Sequence, residues 1–423
     1  MNALAVAPKL TSTTQTPPLP PLASPVPDPP TGVSVATVAT NQAALDAHQV
    51  VSAAQNTFGN NYAGMWVDNS GNPSILHIMV AGSKNAATES TFMSSIPATA
   101  QATTQIGYVK YTYSQLEGFK NKLVQYATSH FTISGDTPSS SMIFSIDTID
   151  NAVNVGLSEQ DIAFLSPLQA LVPSDAIRIS WISGSFELTN GPGFESGVGR
   201  GTFPPYMAGL EIHNYTPSVS IECTSGFLLE ANGVDYGVTA GHCAGPNNFI
   251  MGSNTMTQVG TPTGIQSNGS GGDYDVFKLT SYKQPPQGQI LAEVINGKGF
   301  VDNVIGREAD KYQGIGLVVC SAGVTTNAVT CGSIYYAAGA TVFYNYTFYG
   351  NEACAFFALH PGNSGGPVYV PYPRNEGTAA GVNGGTLPDI SLSCYTTIDK
   401  VLQGITNHIH KPAYVVDANG NLS

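Results

Sequence analysis

The chain has 423 residues, enough for two or three domains that each bury a core. Charged residues make up only 10% of it, and a net charge of −13 leaves no basic stripe to neutralise phosphates, which argues against nucleic-acid binding. No apolar run approaches the ~18 residues of a membrane-spanning helix, so we expect no membrane partner.

Residues 1–40 are rich in Pro, Thr and Ser, with prolines concentrated at 17–21 and 25–30. This composition predicts a disordered leader or linker. The apolar residues Met1–Ala7 are too few for the h-region of a signal peptide and have no basic n-region, so this stretch does not match a signal peptide.

Residues 41–195 contain no cysteine and predict an α+β domain. Apolar residues on both sides of the Asn69–Asn72 turn indicate a β-hairpin. A strand at Ile106–Tyr113 is followed by a capping box, Ser114–Glu117, that predicts the start of an amphipathic helix. Further strands are predicted at 143–146, 153–157 and 176–182.

Residues 196–423 are dense in short apolar strands separated by Gly, Asn and Pro turns. Helical periodicity is confined to Ile398–Ile409. This pattern predicts an all-β domain, typical of barrels, with one helix near its end.

Two short motifs in this second domain suggest nucleophilic chemistry. Thr239–Cys243 places His242 on a small-residue turn after an apolar strand, and Gly362–Pro367 places Ser364 among glycines. A nucleophilic serine needs a base to accept its proton and backbone N–H groups directed at the developing oxyanion. The two motifs together supply both.

An acid that orients the histidine is expected between these motifs, because one of the common chain orders is His, Asp, Ser. Gly271–Leu279 supplies two candidates at the start of an apolar strand, Asp273 and Asp275. At least one of them is expected to be an ordinary solvated loop carboxylate.

The chain resembles the streptogrisin and alpha-lytic protease group of secreted bacterial serine endopeptidases. The resemblance is carried by five motifs between about Cys223 and Cys394, and is looser upstream. The motifs are Cys223–Phe227, Thr239–Cys243, Gly272–Tyr274, Val319–Gly323 and Pro361–Gly366. The Asp-Tyr match assigns the family's aspartate to Asp273 rather than Asp275.

The resemblance implies a chymotrypsin-like fold of two six-stranded antiparallel barrels. His242 would be the base and Asp273 its orienting acid, both in the first barrel. Ser364 would be the nucleophile, in the second. The N–H groups of Gly362 and Ser364 would form the oxyanion hole, and no metal or cofactor would be needed.

The substrate-binding strand is implied at Asn383, Gly384 and Gly385, with Asn383 where relatives carry serine. The two glycines would leave the pocket open to a large side chain. Because no acid is placed at its base, we expect an apolar or aromatic residue before the scissile bond.

All six cysteines lie in the second domain, and six cysteines permit 15 pairings. The resemblance implies pairing in chain order, Cys223 with Cys243, Cys320 with Cys331, and Cys354 with Cys394. A zinc site is the disfavoured alternative, because the chain has no C-x-x-C pair. Disulfides require an oxidising compartment, so we expect a secreted, extracellular protein.

The resemblance also implies a role for residues 41–195, that of a pro-region that assists folding and then inhibits the protease until it is cleaved off. The glycine-rich stretch 191–201 suits a cleavable junction, and we expect the cut between about 191 and 210. The mature enzyme is expected to be a monomer acting on proteins or peptides. The alternatives are an unrelated tandem binding domain, a permanently self-inhibited enzyme, and a catalytically silent protease-like binding protein.

Asn363 departs from the family, which has an aspartate there paired with an arginine at the position of Ser321. Both charged partners of this pair are replaced together, which avoids leaving one buried charge without its partner, and a lone buried charge is costly. One interpretation is drift to a neutral hydrogen bond. The other is adaptation to acid, because an ion-paired aspartate loses its stabilising effect as pH falls through its lowered pKa.

Overall fold

The computed structural model describes most of the chain downstream of the predicted leader. The described residues are 42–130, 141–184, 186–188, 191–192, 206–215, 220–245, 249–251, 257–280, 287–295, 298–326, 328–344 and 347–423. The predicted leader 1–40 lies outside the described residues, as does most of the predicted cleavable junction (193–201).

Strands dominate the described part of the chain, and helices are concentrated upstream. The helices are α1 Gln42–Phe58, α2 Ala86–Ser95, α3 Ala98–Gln101, α4 Tyr113–His130, α5 Leu165–Gln169 and α6 Ile398–Ile409. The upstream strands are β1 Tyr62–Asp68, β2 Ile75–Ala81, β3 Thr104–Val109, β4 Met142–Asp147, β5 Ala152–Leu157, β6 Ile177–Trp181, β7 Glu187–Leu188 and β8 Gly191–Pro192. The downstream strands are β9 Glu211–Tyr215, β10 Ser220–Thr224, β11 Leu229–Ala231, β12 Val234–Thr239, β13 Phe249–Met251, β14 Thr257–Gly269, β15 Gly272–Leu279, β16 Gln289–Ile295, β17 Lys298–Arg307, β18 Val318–Ser321, β19 Thr330–Tyr344, β20 Thr347–Phe356, β21 Pro367–Tyr372, β22 Glu376–Leu387, β23 Leu392–Thr397 and β24 Ala413–Val415.

The predicted upstream hairpin is confirmed, since β1 and β2 pair antiparallel, and β3 adds a parallel third strand. The predicted capping box is two residues too late. Thr112 and Gln115 form the reciprocal pair of hydrogen bonds, so helix α4 begins at Tyr113. The predicted apolar face of α4 is buried at Leu116, Leu123 and Ala127, as expected.

The upstream and downstream regions share two sheets, because β8 pairs with β10 in one and β4 to β7 belong to the other. Strand β4 pairs antiparallel with β19, with Phe144 opposite Thr341, so that β4, β5 and β6 extend a downstream sheet. Helix α4 covers this extension, and the buried Lys120 donates a hydrogen bond to the carbonyl oxygen of Gly339 in β19. The upstream region is therefore docked through main-chain pairing as well as side chains.

The downstream region is all-β apart from α6, which begins and ends at the predicted residues. Among the described residues, one sheet runs in the order β24-β11-β12-β15-β14-β13-β9-β10-β8, and a second sheet contains β16 to β23 together with the upstream strands β4 to β7. A shared core, including Phe227, Tyr274, Tyr369 and Ile405, packs between them. The predicted fold class, α+β upstream and all-β downstream, is confirmed. Closure into two barrels of six strands stays a prediction.

Six cysteines join strands and turns of the downstream region as three disulfides. The bonds link Cys223 with Cys243, Cys320 with Cys331, and Cys354 with Cys394, the pairing that the resemblance implies. Within the described ranges, no helix is both long and apolar enough to cross a membrane.

Candidate active site

His242 lies in a single 3₁₀ turn, Gly241–Cys243, that follows strand β12. The disulfide from Cys243 to Cys223 ties this turn to β10. Gly241 packs so closely on the carbonyl oxygen of Ser267 that a Cβ atom would collide with it. The small residues around His242 therefore allow the turn to pack closely against β14 and β15.

His242 contacts both other residues that the motifs predict. Its Nδ1 lies 2.6 Å from Asp273 Oδ2, and its Nε2 lies 2.7 Å from Ser364 Oγ. The backbone N–H of His242 also donates to Asp273 Oδ1 at 3.0 Å. The carboxylate thus holds the ring by two bonds, and the imidazole side chain is only 4% exposed. This geometry suits a base that takes a proton from serine at Nε2.

Asp275, the competing candidate, does not contact His242 in the described hydrogen bonds. It pairs through its backbone with Thr239 and Gln266 and is buried. Its Oδ2 has no hydrogen-bond partner among the described residues, and burial raises the pKa of this carboxyl to about 7. The solvated-loop interpretation is therefore wrong for both aspartates, because each is buried within β15.

Ser364 lies on a tight turn whose glycines adopt conformations that other residues avoid. The φ angles are +97° at Gly362 and +84° at Gly365, and a Cβ atom at Gly365 would collide with Thr239 and Thr224. Thr224 anchors the turn by donating from Oγ1 to the carbonyl oxygen of Gly362 at 2.8 Å, and from its N–H to that of Ser364 at 2.7 Å. Sequence reasoning gave Thr224 no role, although it lies in the Cys223–Phe227 motif.

A neutral network lies beneath Ser364. Asn363 accepts a hydrogen bond at Oδ1 from the Thr325 hydroxyl at 2.6 Å, and Asn383 Nδ2 donates to Ser321 Oγ at 2.7 Å. Asn383 also donates to the Asn363 carbonyl oxygen at 3.4 Å. Asn363 and Ser321 are therefore connected through Asn383, and no side chain in this chain of contacts is charged.

The predicted substrate strand corresponds to part of β22. Gly384 lies beside the nucleophile, since its carbonyl oxygen is 3.3 Å from Ser364 Oγ. The side chain of Asn383 is buried in the network described above, so it supports the serine turn rather than facing a ligand. Gly385 is paired antiparallel with Leu188 of the upstream strand β7.

Two further residues adjoin Asp273 that the sequence analysis missed. Its backbone N–H donates to Thr396 Oγ1 at 2.7 Å, and Thr396 in turn donates to Glu352 Oε1 at 2.7 Å. Burial, together with the nearby Asp273 charge, raises the pKa of Glu352 well above its ordinary value, although the Thr396 bond opposes the shift. The signal in the sequence was a lone acid, Glu352, directly before the apolar run Ala353–Phe357 and within the same strand, which is uncommon for a strand facing a core.

In the part of the chain that the structure describes, no three His, Cys, Asp or Glu side chains lie close enough together to bind a metal ion. His213, a histidine outside the site, instead pairs with Glu211 at 2.7 Å.

No protein-family model and no curated protein matches the chain. Among solved structures, it is similar to a glutamic acid specific serine protease described as using a histidine triad in substrate binding, at 20% identity over 49% of this chain and 100% of that one, with a TM-score of 0.37. It is also similar to an alpha-lytic protease homolog, N4, at 19% identity over 49% and 97%, with a TM-score of 0.36. A third is Thermobifida fusca protease A, at 21% over 49% and 98%, with a TM-score of 0.33. Similarity at this level gives no basis for transferring a substrate or a mechanism, so function has to be argued from the site itself.

Proposed function

We propose that the chain is a secreted serine endopeptidase that hydrolyses peptide bonds through an acyl-enzyme. The observation that carries the proposal is the unbroken contact from Asp273 Oδ2 through both nitrogens of His242 to Ser364 Oγ, with distances of 2.6 and 2.7 Å. A serine joined in this way to a base, and a base joined to an orienting acid, is the arrangement that activates a hydroxyl nucleophile.

In the first half-reaction, Ser364 Oγ attacks the carbonyl carbon of the scissile bond while His242 Nε2 accepts the hydroxyl proton. The imidazolium then gives that proton to the leaving amine, and Asp273 stabilises the positive charge without itself becoming protonated. In the second, His242 accepts a proton from water as the water oxygen attacks the acyl carbon; the ester bond to Ser364 then breaks, and His242 gives the proton to Ser364 Oγ as the acid leaves. Besides water, the two half-reactions use only groups of this chain and of the substrate.

The oxyanion that forms in each step needs hydrogen-bond donors. We assign these to the N–H groups of Gly362 and Ser364, whose carbonyl groups are held from one side by Thr224. The left-handed φ at Gly362 supports this assignment, because such a conformation reorients the peptide groups of the turn. Substrate would add as an antiparallel strand to the β22 edge at Gly384 and Gly385, with an apolar or aromatic residue before the scissile bond.

The upstream region is assigned the role of a pro-region that folds with the protease and blocks it until removed. Two contacts support this. Leu188 pairs with Gly385 of the assigned substrate strand, and Gly191 pairs with Glu222 of β10, the strand whose Thr224 holds the serine turn. Upstream chain is therefore paired both with the assigned substrate strand and with the strand that anchors the serine turn. We expect cleavage between about 191 and 210, which would free the site.

Secretion is supported by the three disulfides, since such bonds persist in oxidising compartments. We assign protein or peptide substrates and a monomeric mature enzyme.

Intact mass spectrometry with a fluorophosphonate probe tests the proposal. The full-length chain and its Ser364→Ala variant are purified, incubated, and treated with the probe. We expect the parent chain to yield a fragment that starts near 191–210 and carries one probe mass, and the variant to remain whole and unlabelled. The result would assign both the nucleophile and self-processing.

The alternative, a silent protease-like binding protein, predicts a different outcome. Its support is the replacement of the family's aspartate by Asn363. A chain that takes no label even after limited proteolysis removes the upstream region would overturn the enzyme proposal and favour this alternative. Label on an uncleaved chain would instead favour an enzyme that keeps its upstream domain.

A further inference from the structure

We infer that Glu352, acting through Thr396, is a positioning residue for Asp273, and that it does so as a neutral, protonated carboxyl. This inference rests on the proposed function, because it concerns the acid that orients His242. The sequence motifs do not include Glu352 or Thr396, which lie on β20 and β23, elements that contain none of the three reacting residues.

The direction of the hydrogen bonds defines the arrangement. Thr396 has one hydroxyl hydrogen, and its oxygen already accepts the N–H of Asp273 at 2.7 Å. The hydroxyl hydrogen is donated to Glu352 Oε1, also at 2.7 Å. Glu352 fixes the rotamer of the threonine hydroxyl, and the hydroxyl fixes the backbone from which the Asp273 carboxylate extends.

All three residues are buried, so water does not compete for these bonds. Glu352 is 2% exposed, Thr396 0% and Asp273 1%. Glu352 and Thr396 also face each other in register across the β20–β23 ladder. A side-chain link between partners that the sheet already aligns costs little conformational entropy and holds its geometry.

The turn before Asp273 is shaped to let Thr396 approach. Gly272 has a φ of +103°, and a Cβ atom there would lie 2.6 Å from Thr396 Cγ2. Only glycine satisfies both requirements. The contact between β15 and Thr396 thus depends on the backbone conformation at Gly272 as well as on side-chain hydrogen bonds.

The charge balance around Asp273 requires a neutral Glu352. Two carboxylates in one buried site cannot both ionise without great cost, and Asp273 is the one that His242 contacts. The other titratable groups that face Glu352 are Tyr344 from β19, Tyr349 from its own strand and Tyr395 from β23. Burial raises the pKa of each of these phenols, so they are neutral as well. The negative charge of the cluster is left on Asp273 alone.

The test compares rates of labelling by a fluorophosphonate probe across pH. Each chain is expressed full length, and its junction is cut by a metalloprotease, which the probe does not label, so processing does not depend on the variant's own activity. Glu352→Gln keeps a neutral acceptor of the same shape. We expect its labelling rate to stay within about threefold of the parent chain. We also expect the acid limb, the fall of the labelling rate at low pH, to lie at the same pH as in the parent chain.

Glu352→Met and Thr396→Val each break the link, and we expect labelling at least about tenfold slower, since small displacements of catalytic groups have effects of this size. Thr378→Val is the matched control for the second variant. Thr378 is another buried threonine that donates to a buried glutamate, Glu308, at 2.7 Å, with no link to Asp273. We expect Thr378→Val to lower stability but not the labelling rate.

Three results would overturn the inference. An acid limb that moves to lower pH in Glu352→Gln would mean that the parent carboxyl is ionised, because removing a negative charge disfavours the imidazolium. Equal labelling rates in Thr396→Val and Thr378→Val would mean that the link does not position Asp273, and so would an unchanged rate in Glu352→Met. These outcomes are distinct from failure of the proposed function, in which the parent chain itself takes no label.

Discussion

At the scale of single residues, the site is assembled from parts far apart in the sequence. His242 and Ser364 are 122 positions apart, and the ring nitrogen and hydroxyl oxygen still lie 2.7 Å from each other. Local motifs identified these two because the small residues that a tight turn needs are visible in the sequence. The choice between Asp273 and Asp275 was open from the residues alone, because both lie on the same short strand and only packing decides which one contacts the histidine.

Substitution of the two aspartates separates their roles. We expect Asp273→Asn to lower turnover by about 10⁴, since an amide cannot hold the imidazole in the required tautomer. Asp275→Asn, the matched change two residues away, should leave turnover within about threefold, because its carboxyl does not contact His242. Steady-state hydrolysis of a labelled protein substrate measures both. Comparable losses in the two variants would contradict the assignment of Asp273.

At the scale of elements, alternation and periodicity predicted several strands and helices but missed helix α1, although its residues Val50, Val51 and Ala54 are buried. The hairpin of β1 and β2 and helix α6 follow such patterns, and α6 has the predicted bounds. The start of α4 was misassigned because two overlapping capping boxes are present, and Thr112 with Gln115 is the pair that forms. The burial of Lys120 on the apolar face of α4 was not predictable, because its partner is a carbonyl in β19.

The contact of Lys120 with β19 is expected to hold the cleaved upstream region on the protease. Lys120→Met would leave the Gly339 carbonyl oxygen without its charged donor, a loss of about 1.5–3 kcal/mol, or roughly 10- to 150-fold in affinity. Lys122→Met, on the exposed side of the same helix, is the control. Size-exclusion chromatography of the cleaved chains measures how much of the upstream fragment remains bound. Equal retention in both variants would refute this role.

At the scale of the whole molecule, several buried carboxyls hold their protons more tightly than usual. Burial raises the pKa of Asp275 to about 7 and that of Asp310 to about 6, and also raises that of Glu352. The folded chain therefore binds protons that the unfolded chain releases above the ordinary carboxyl pKa. This contribution to stability is fully present in acid and is lost as pH rises through the raised values. Together with the neutral network of Asn363 and Asn383, it favours adaptation to acid over drift.

Thermal unfolding at different pH values tests this balance. In the Ser364→Ala chain, which cannot cleave itself, we expect the Tm to fall by on the order of 3 °C between pH 4 and pH 7.5. Adding Asp275→Asn should raise the Tm at pH 7.5 and change it little at pH 4, because the amide imitates the protonated acid. A Tm that instead rises with pH over this range would show that other groups dominate.

The sequence by itself determined the candidate base and nucleophile, the division into an α+β and an all-β part, and the approximate positions of strands β1 to β6 and helices α4 and α6. These follow from local rules, because turns need glycine, caps need particular side chains, and buried faces repeat at the period of the element. The tertiary structure decided which acid contacts His242, how β4 joins β19, and how Glu352 comes to lie behind Asp273. Those features depend on which strands pack together, and pairing between distant segments leaves no local trace in the order of residues.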